Sequence, residues 1–410
     1  MDNINDMGNE NLISQQNNFD KKFLLGKLLL VVFILGFSTF IAYYLGLNNK
    51  TKNEQTSRTV NEQIKTENVS WKTPVFDKKI IPIVKNEFLH IYNISEKKLV
   101  STDYKTSWGN GSSNIGSDNP LLSPNGGYVV FINKSDNNSL YLINSNLETK
   151  KITQYPVKYL DDWSPNGKEI LFYVNEENLD SRKEGEGIGW PENWEKVEKF
   201  NKDTLGGFHL FNIETGIDTY LYPLKSADQF IDNDRIASIV QNGNDSRLAV
   251  FNTKTFEADY SLVSHVLPFG SGDGQQSFTS DGKNWAFTYS NNPTNDANII
   301  YANFPKKDGI TIESGKWAEV QKPFISPDGK YVIYSKKGEQ IRTGVWQDLI
   351  RIWGSNSKKI IKEIKGYPWY WLDNNSFVYV LPDLETGLTF NSLNIYYINN
   401  GTTETVDLTN

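Results

Sequence analysis

One phrase recurs along this chain and restricts its fold more than any other feature. It reads LLSPNGGYVVFI at 121–132, DWSPNGKEILFYV at 162–174, SFTSDGKNWAFTY at 277–289 and FISPDGKYVIYS at 324–335. Weaker copies are VFDKKIIPIV at 75–84, QFIDNDRIASIV at 229–240 and YWLDNNSFVYVL at 370–381. The apolar anchors ahead of the turns are Val75, Leu122, Trp163, Phe230, Phe278, Ile325 and Trp371, spaced 47, 41, 67, 48, 47 and 46 residues apart. Each copy reads as a short strand, a tight turn and a second strand, because Pro presets φ for a turn corner and Gly supplies positive φ.

A third strand follows each phrase: LHIYN 89–93, LYLIN 140–144, FHLFN 208–212, LAVFN 248–252, IIYAN 299–303, LIRIW 349–353 and LNIYY 393–397. A more polar fourth strand closes the unit, as in KLVSTD 98–103, TKKIT 149–153 and TETVDL 403–408. Four antiparallel strands in roughly 45 residues is the period of a β-propeller blade. The second strands are unbroken apolar runs, as a sheet buried on both faces requires, while the fourth strands alternate like a solvent-facing edge. The expected fold over 71–410 is therefore an all-β propeller of seven four-stranded blades. The three weak copies leave the count open between six and eight.

These phrases, SPNG or SPDGK followed by two apolar residues and an aromatic, resemble the WD-repeat-like β-propeller repeat of the TolB-like and prolyl-oligopeptidase-type families. The resemblance covers about 340 of the 410 residues. It implies a propeller that can serve as scaffold, interaction platform or enzyme gate, and so speaks to fold more than to activity.

Ahead of the repeats, Leu28 to Leu47 form twenty positions without a formal charge, about 30 Å of helix and enough to cross a bilayer. A cleaved signal peptide would have a shorter apolar stretch and a small-x-small site, whereas Ala42 precedes Tyr43 and Tyr44, an interfacial aromatic pair. The expected organisation is a disordered cytoplasmic tail over 1–22, a transmembrane helix over 23–47 in contact with the lipid bilayer, a polar linker over 48–70 and the propeller beyond. Lys21, Lys22 and Lys27 precede the apolar run, and Lys50 and Lys52 follow it. The slight bias, with the usual arrangement of a lone N-terminal anchor, places the N-terminus inside and the propeller outside the cell membrane.

Composition removes whole classes of chemistry. With no cysteine there is no disulfide, thiolate nucleophile or Cys-ligated metal. The formal net charge of −7 lacks the basic footprint of nucleic-acid binding. The three histidines have separate explanations: His90 and His209 share a third-strand position with Tyr141, Ala249 and Arg351, a packing or surface site, and His265 sits in a loop. No G-x-S-x-G elbow occurs, and Gly270-Ser271-Gly272-Asp273-Gly274 has the wrong spacing. Thr279 to Trp285 is one residue short of a sialidase Asp-box and reads as a blade turn. Asp161 and Asp162 could form a glycosidase pair, but their place before the Trp163 strand favours hydrogen bonds to backbone. No EF-hand spacing is present. The expectation is a non-enzymatic protein-binding or assembly propeller without metal or cofactor. The alternative is a propeller hydrolase or lyase, peptidase-like or glycosidase-like, with an unrecognised catalytic set.

The expected binding face follows from blade topology. Connections from strand two to three and from one blade to the next share a face, and the long ones all fall there: 104–119, 175–206, 261–275 and 382–392. They and the neighbouring loop after Gly315 carry Trp108, Trp190, Trp194, Phe269 and Trp317, the expected contacts to a protein or peptide partner. The orientation is tested by replacing Asn11 or Asn53 with Cys in this cysteine-free chain and labelling intact cells with an impermeant maleimide. Only Asn53→Cys should label, and the opposite pattern reverses the topology.

Overall fold

The computed structural model describes residues 79–107, 118–174, 206–221, 224, 229–242, 245–264, 276–289, 297–306, 308–316, 320–342, 345–382 and 390–408. All of these belong to the unit Ile64–Asn410. The expected transmembrane helix at 23–47 and its flanks lie outside the described residues, among which no helix is long and apolar enough to cross a membrane.

Among the described residues, twenty-seven strands form seven antiparallel sheets, each taken from one continuous stretch of chain. The first holds β1 (Ile80–Lys85), β2 (Phe88–Asn93) and β3 (Lys98–Lys105). The second holds β4 (Leu121–Leu122), β5 (Tyr128–Asn133), β6 (Ser139–Asn144) and β7 (Thr149–Lys151). The third runs β8 (Val157–Trp163), β9 (Glu169–Val174), β10 (Gly207–Asn212), β11 (Asp218–Tyr220). The fourth runs β12 (Gln229–Phe230), β13 (Arg235–Asn242), β14 (Asp245–Asn252), β15 (Ala258–Ser264). The fifth runs β16 (Gln276–Phe278), β17 (Asn284–Tyr289), β18 (Ala297–Asn303), β19 (Ile310–Gly315). The sixth runs β20 (Val320–Ile325), β21 (Tyr331–Arg342), β22 (Val345–Gly354), β23 (Lys359–Lys365). The seventh runs β24 (Tyr367–Asp373), β25 (Ser376–Pro382), β26 (Phe390–Tyr397), β27 (Thr402–Asp407). Each sheet pairs its strands in sequence order, so the described chain is a seven-bladed β-propeller, as the repeat count predicts. In the first sheet the place of an innermost strand, expected at Val75, lies outside the described residues.

The period-two alternation of the strands creates the core. In β5, Val129 and Phe131 face Ile80, Leu89 and Ile91 of the first blade. The alternate residues Val130 and Ile132 face Val157, Leu160 and Ile170 of the third blade. One strand thus serves two interfaces, which is why the second strands are apolar throughout. The pattern repeats around the ring: seven apolar clusters each join two neighbouring sheets. The last of these closes the circle, packing Leu372, Val378, Leu393 and Ile395 of the seventh blade on Ile81, Ile83 and Tyr92 of the first. Lys79 Nζ to Asp373 Oδ2 at 2.5 Å and Tyr92 OH to Glu404 Oε1 at 3.0 Å span the same seam.

The recurring turn is held by its serine. Ser123, Ser164, Thr279 and Ser326, all buried, each donate a hydroxyl bond to the Asn or Asp two residues on, at 2.6–2.9 Å. Each hydroxyl also accepts the backbone N–H five residues on, at 2.8–3.0 Å. The same Asn or Asp Oδ1 accepts the N–H two residues beyond itself, at 2.9–3.1 Å. The turn glycines sit at φ between 63° and 74°, in the left-handed region. Gly282 has a second reason: a Cβ there would lie 2.9 Å from Ile231 O, in the preceding blade's turn. Gly366 alone connects β23 to β24 at φ 134°, and a Cβ would meet Tyr379 and Val380 O within 2.8 Å.

Ser326→Ala should therefore leave the part-buried N–H of Tyr331 without this partner and cost about 1–3 kcal/mol of stability in denaturant titration, with the circular dichroism of the folded state unchanged. A loss within error of zero would show that the glycine and aspartate suffice for the turn.

Candidate functional site

The antiparallel order gives the ring two unlike faces. On one, the connections between first and second strands and between third and fourth strands are the short serine and asparagine turns. The asparagine turns repeat as the serine turns do: Asn144 Oδ1 accepts the N–H of Asn146 and Glu148, and Asn212 and Asn252 each accept two N–H groups likewise. On the other face open the connections between second and third strands and between blades.

Trp108, Trp190, Trp194, Phe269 and Trp317 all lie outside the described residues, so their side chains have no described position. The strands that flank them are described. Trp108 falls between β3 and β4, Trp190 and Trp194 between β9 and β10, Phe269 between β15 and β16, and Trp317 between β19 and β20. All four pairs of strand ends open on the second face. That face gains a feature absent from the sequence reading: the hairpin β21–β22 has strands of 12 and 10 residues, where most second and third strands have 6–8. Its projecting part carries Lys337 Nζ 3.7 Å from the Trp346 ring centroid, a cation–π pair.

Among the described titratable groups, three constellations invite a chemical reading. The first is Asp161–Asp162 on inner strand β8. Asp161 is buried, and Asp162 Oδ2 accepts the N–H of Phe230 in the next blade at 2.8 Å while Oδ1 accepts the N–H of Trp163 at 2.8 Å. Burial pushes the Asp162 carboxyl up to about 7, against the opposing pull of those two N–H bonds. It acts as a clamp between inner strands, with a proton affinity suited to titration near neutrality. The expectation that this pair accepts backbone hydrogens holds for Asp162, but the bond reaches across blades as well as into its own strand.

Second, His209, 2 % exposed, sets Nδ1 3.0 Å from Asp218 Oδ1, and the Tyr155 hydroxyl donates to Asp218 Oδ2. Its ring lies among Phe172, Tyr155 and Tyr220 at centroid distances of 5.3–5.7 Å. This is a packed histidine, as the repeat comparison suggested, and it fastens the connection between the second and third blades to outer strand β11. His90 is half-buried and its pKa is lowered, chiefly by burial. His265 lies outside the described residues.

Third, Glu313 on β19 accepts Tyr334 OH at 3.0 Å, Lys336 Nζ at 3.1 Å and Arg351 Nη1 at 2.5 Å, all from the next blade, and Arg351 Nε reaches Glu363 at 2.8 Å. Burial works to raise the Glu313 pKa, but the bonds from Arg351, Lys336 and Tyr334 outweigh it and hold the carboxyl below its ordinary range.

An open cleft of about 310 Å³ sits on the short-turn face of the seventh blade, lined by Asp373, Asn375, Ser376, Tyr397, Asn399 and Asn400. No group of three or more His, Cys, Asp or Glu side chains arranged to hold a metal occurs among the described residues.

No protein-family model and no curated protein sequence matches the chain. Several solved structures are similar to it at low sequence identity. TolB from Acinetobacter baumannii is 15 % identical, with a TM-score of 0.40, over 69 % of this chain and 62 % of that one. The chain thus matches less than two thirds of TolB's length. The β-propeller domain of the trilobed protease from Pyrococcus furiosus is 12 % identical, with a TM-score of 0.48, over 81 % of this chain and 94 % of that one. An oligogalacturonate lyase in complex with manganese is 11 % identical, with a TM-score of 0.46, over 80 % and 83 %. None of these likenesses assigns an activity or a partner to this chain.

The raised pKa of Asp162 has a definite sign. A carboxyl whose folded pKa lies above its unfolded value favours the fold while protonated, so its contribution is complete below about pH 4 and is lost as pH rises through about 7. The stability difference between the protein and its Asp162→Asn variant should therefore shift between pH 4.5 and 8 by on the order of 1–3 kcal/mol, the variant losing less as pH rises. Parallel stability curves for the two proteins would show that Asp162 does not titrate in this window.

Proposed function

We propose that this protein is a membrane-anchored, extracytoplasmic β-propeller that acts as a non-catalytic protein-binding or assembly scaffold. The observation that supports it best is the asymmetry of the ring. Short turns satisfied by their own Ser, Asn and Asp side chains close one face, while every connection long enough to form a recognition surface leaves from the other. The clusters at Asp162, His209 and Glu313 tie blade to blade or loop to blade, which gives each a structural task. The anchor rests on the charge-free stretch Leu28 to Leu47, and the partner is a protein or peptide received by Trp108, Trp190, Trp194, Phe269 and Trp317.

Crosslinking in native membranes, with mass spectrometry of the captured chain, identifies the partner. Replacing Trp190 and Trp194 with Ala should then weaken capture by about 2 kcal/mol for each residue that is a hot spot, with thermal stability retained. Unchanged capture by a double variant that has lost stability would make these tryptophans part of the fold and move the contact surface elsewhere.

A further inference from the structure

Outermost strand β23, KIIKEIK, departs from the other blade edges. Ile360 and Ile361 are 42 % and 45 % exposed, and among the described residues no other outermost strand presents two large aliphatic side chains to solvent. The remaining exposed large apolar residues, Leu147, Ile217 and Phe256, stand singly in the turns before outer strands. Exposed isoleucines on a strand that borders no further strand cost solubility and invite pairing, so an edge without a use would be expected to carry polar residues there.

The register shows how the edge is built. Lys362 to Lys365 pair regularly with Ile352 to Leu349 of β22, and the pairing then slips: Trp353 faces Ile360, leaving Ile361 as the extra residue of a bulge. Ile361 lies over Gly354, where an added Cβ would come within 3.5 Å of its Cγ2. A regular four-residue edge therefore adjoins an apolar step made of two isoleucines. Lys358, Lys359, Lys362 and Lys365 surround it, and the one carboxylate of the strand, Glu363, is already engaged by Arg351. In a chain of net charge −7 this is a local excess of positive charge.

We propose that this edge of the sixth blade receives an extended, acidic segment of a partner protein as an added β-strand. The backbone of Lys362 to Lys365 supplies the ladder, Ile360 and Ile361 seat an apolar side chain, and the lysines select carboxylates. The charge chooses among occupants: a second copy of β23 would bring three lysines against three, whereas an acidic strand is complementary. This surface is on the rim of the ring and stands independently of the loop face proposed above.

The test uses the full chain and two fluorescein-labelled nonapeptides, one alternating Glu and Val and one alternating Lys and Val, followed by fluorescence anisotropy. The Glu-Val peptide should bind and the Lys-Val peptide should not, with hydrogen-exchange protection appearing at 359–366. Lys359→Glu/Lys362→Glu/Lys365→Glu should reduce Glu-Val binding at least tenfold and create binding of the Lys-Val peptide. Ile360→Ser/Ile361→Ser should weaken Glu-Val binding without altering that charge preference. Thermal unfolding of each variant reports that the ring is intact, and the gain of Lys-Val binding cannot arise from misfolding. Equal binding of both peptides, binding indifferent to the charge reversal, or protection confined to another blade overturns the proposal. So does a dimer in sedimentation that the isoleucine variant abolishes, which would make a second copy the occupant.

Discussion

The structure depends on packing between sheets that share no strand. A lone four-stranded blade would expose both faces of its second strand to water. Only when Val129 and Phe131 meet one neighbour and Val130 and Ile132 the other does the strand satisfy the period-two geometry of its own backbone. The condition passes from blade to blade and is met for all seven only because the seventh packs on the first. Among the described residues the closure is made by side chains, with the Lys79–Asp373 pair and the Tyr92–Glu404 bond set around an apolar seam.

Apolar contact alone does not set blades at a fixed angle, and the polar groups between them have that role. Inner strands of adjacent blades do not pair, so their backbone groups need partners from side chains. Trp163 Nε1 donates to Leu121 O, Phe230 N to Asp162, Gln229 Nε2 to Gln276 O, Ile325 N to Ser277 Oγ and Trp371 Nε1 to Phe324 O. Five successive interfaces, from the second blade to the seventh, are clamped in this way. The carboxylates that a search for catalysis would first select are thus among the groups that hold blades in register.

These two layers have consequences for where function can sit. Short turns held by buried hydroxyls leave little on one face to vary. The second face takes every long connection, the projecting β21–β22 hairpin with its Lys337–Trp346 pair, and the strand ends that flank all five aromatic candidates. The exposed Ile360–Ile361 step of β23 stands out on the rim because, among the described residues, no other outermost strand exposes two large aliphatic side chains.

Much of this was legible in the chain itself. The spacing of the anchors, the unbroken apolar second strands and the strand-three phrases give seven blades, with third-strand ends such as Asn93, Asn144, Asn212 and Asn252 placed where the structure has them, because local hydrogen bonds and period-two burial are properties of a few consecutive residues. The weight placed on Pro and Gly in the turn was incomplete: the buried serine joins both sides of it, and only its recurrence as Ser123, Ser164, Thr279 and Ser326 hinted at that. The partners of Asp162, Glu313 and His209 could not be read, since Phe230 lies 68 residues beyond Asp162 and Arg351 lies 38 beyond Glu313. Nor could the bulge that brings Ile360 and Ile361 to one edge, which is set by pairing with β22. The sequence by itself determined the blade, its repeats and its two unlike ends. The tertiary structure decided which carboxylates became clamps and which edge was left apolar, because those outcomes depend on the angle at which neighbouring sheets meet around a closed ring.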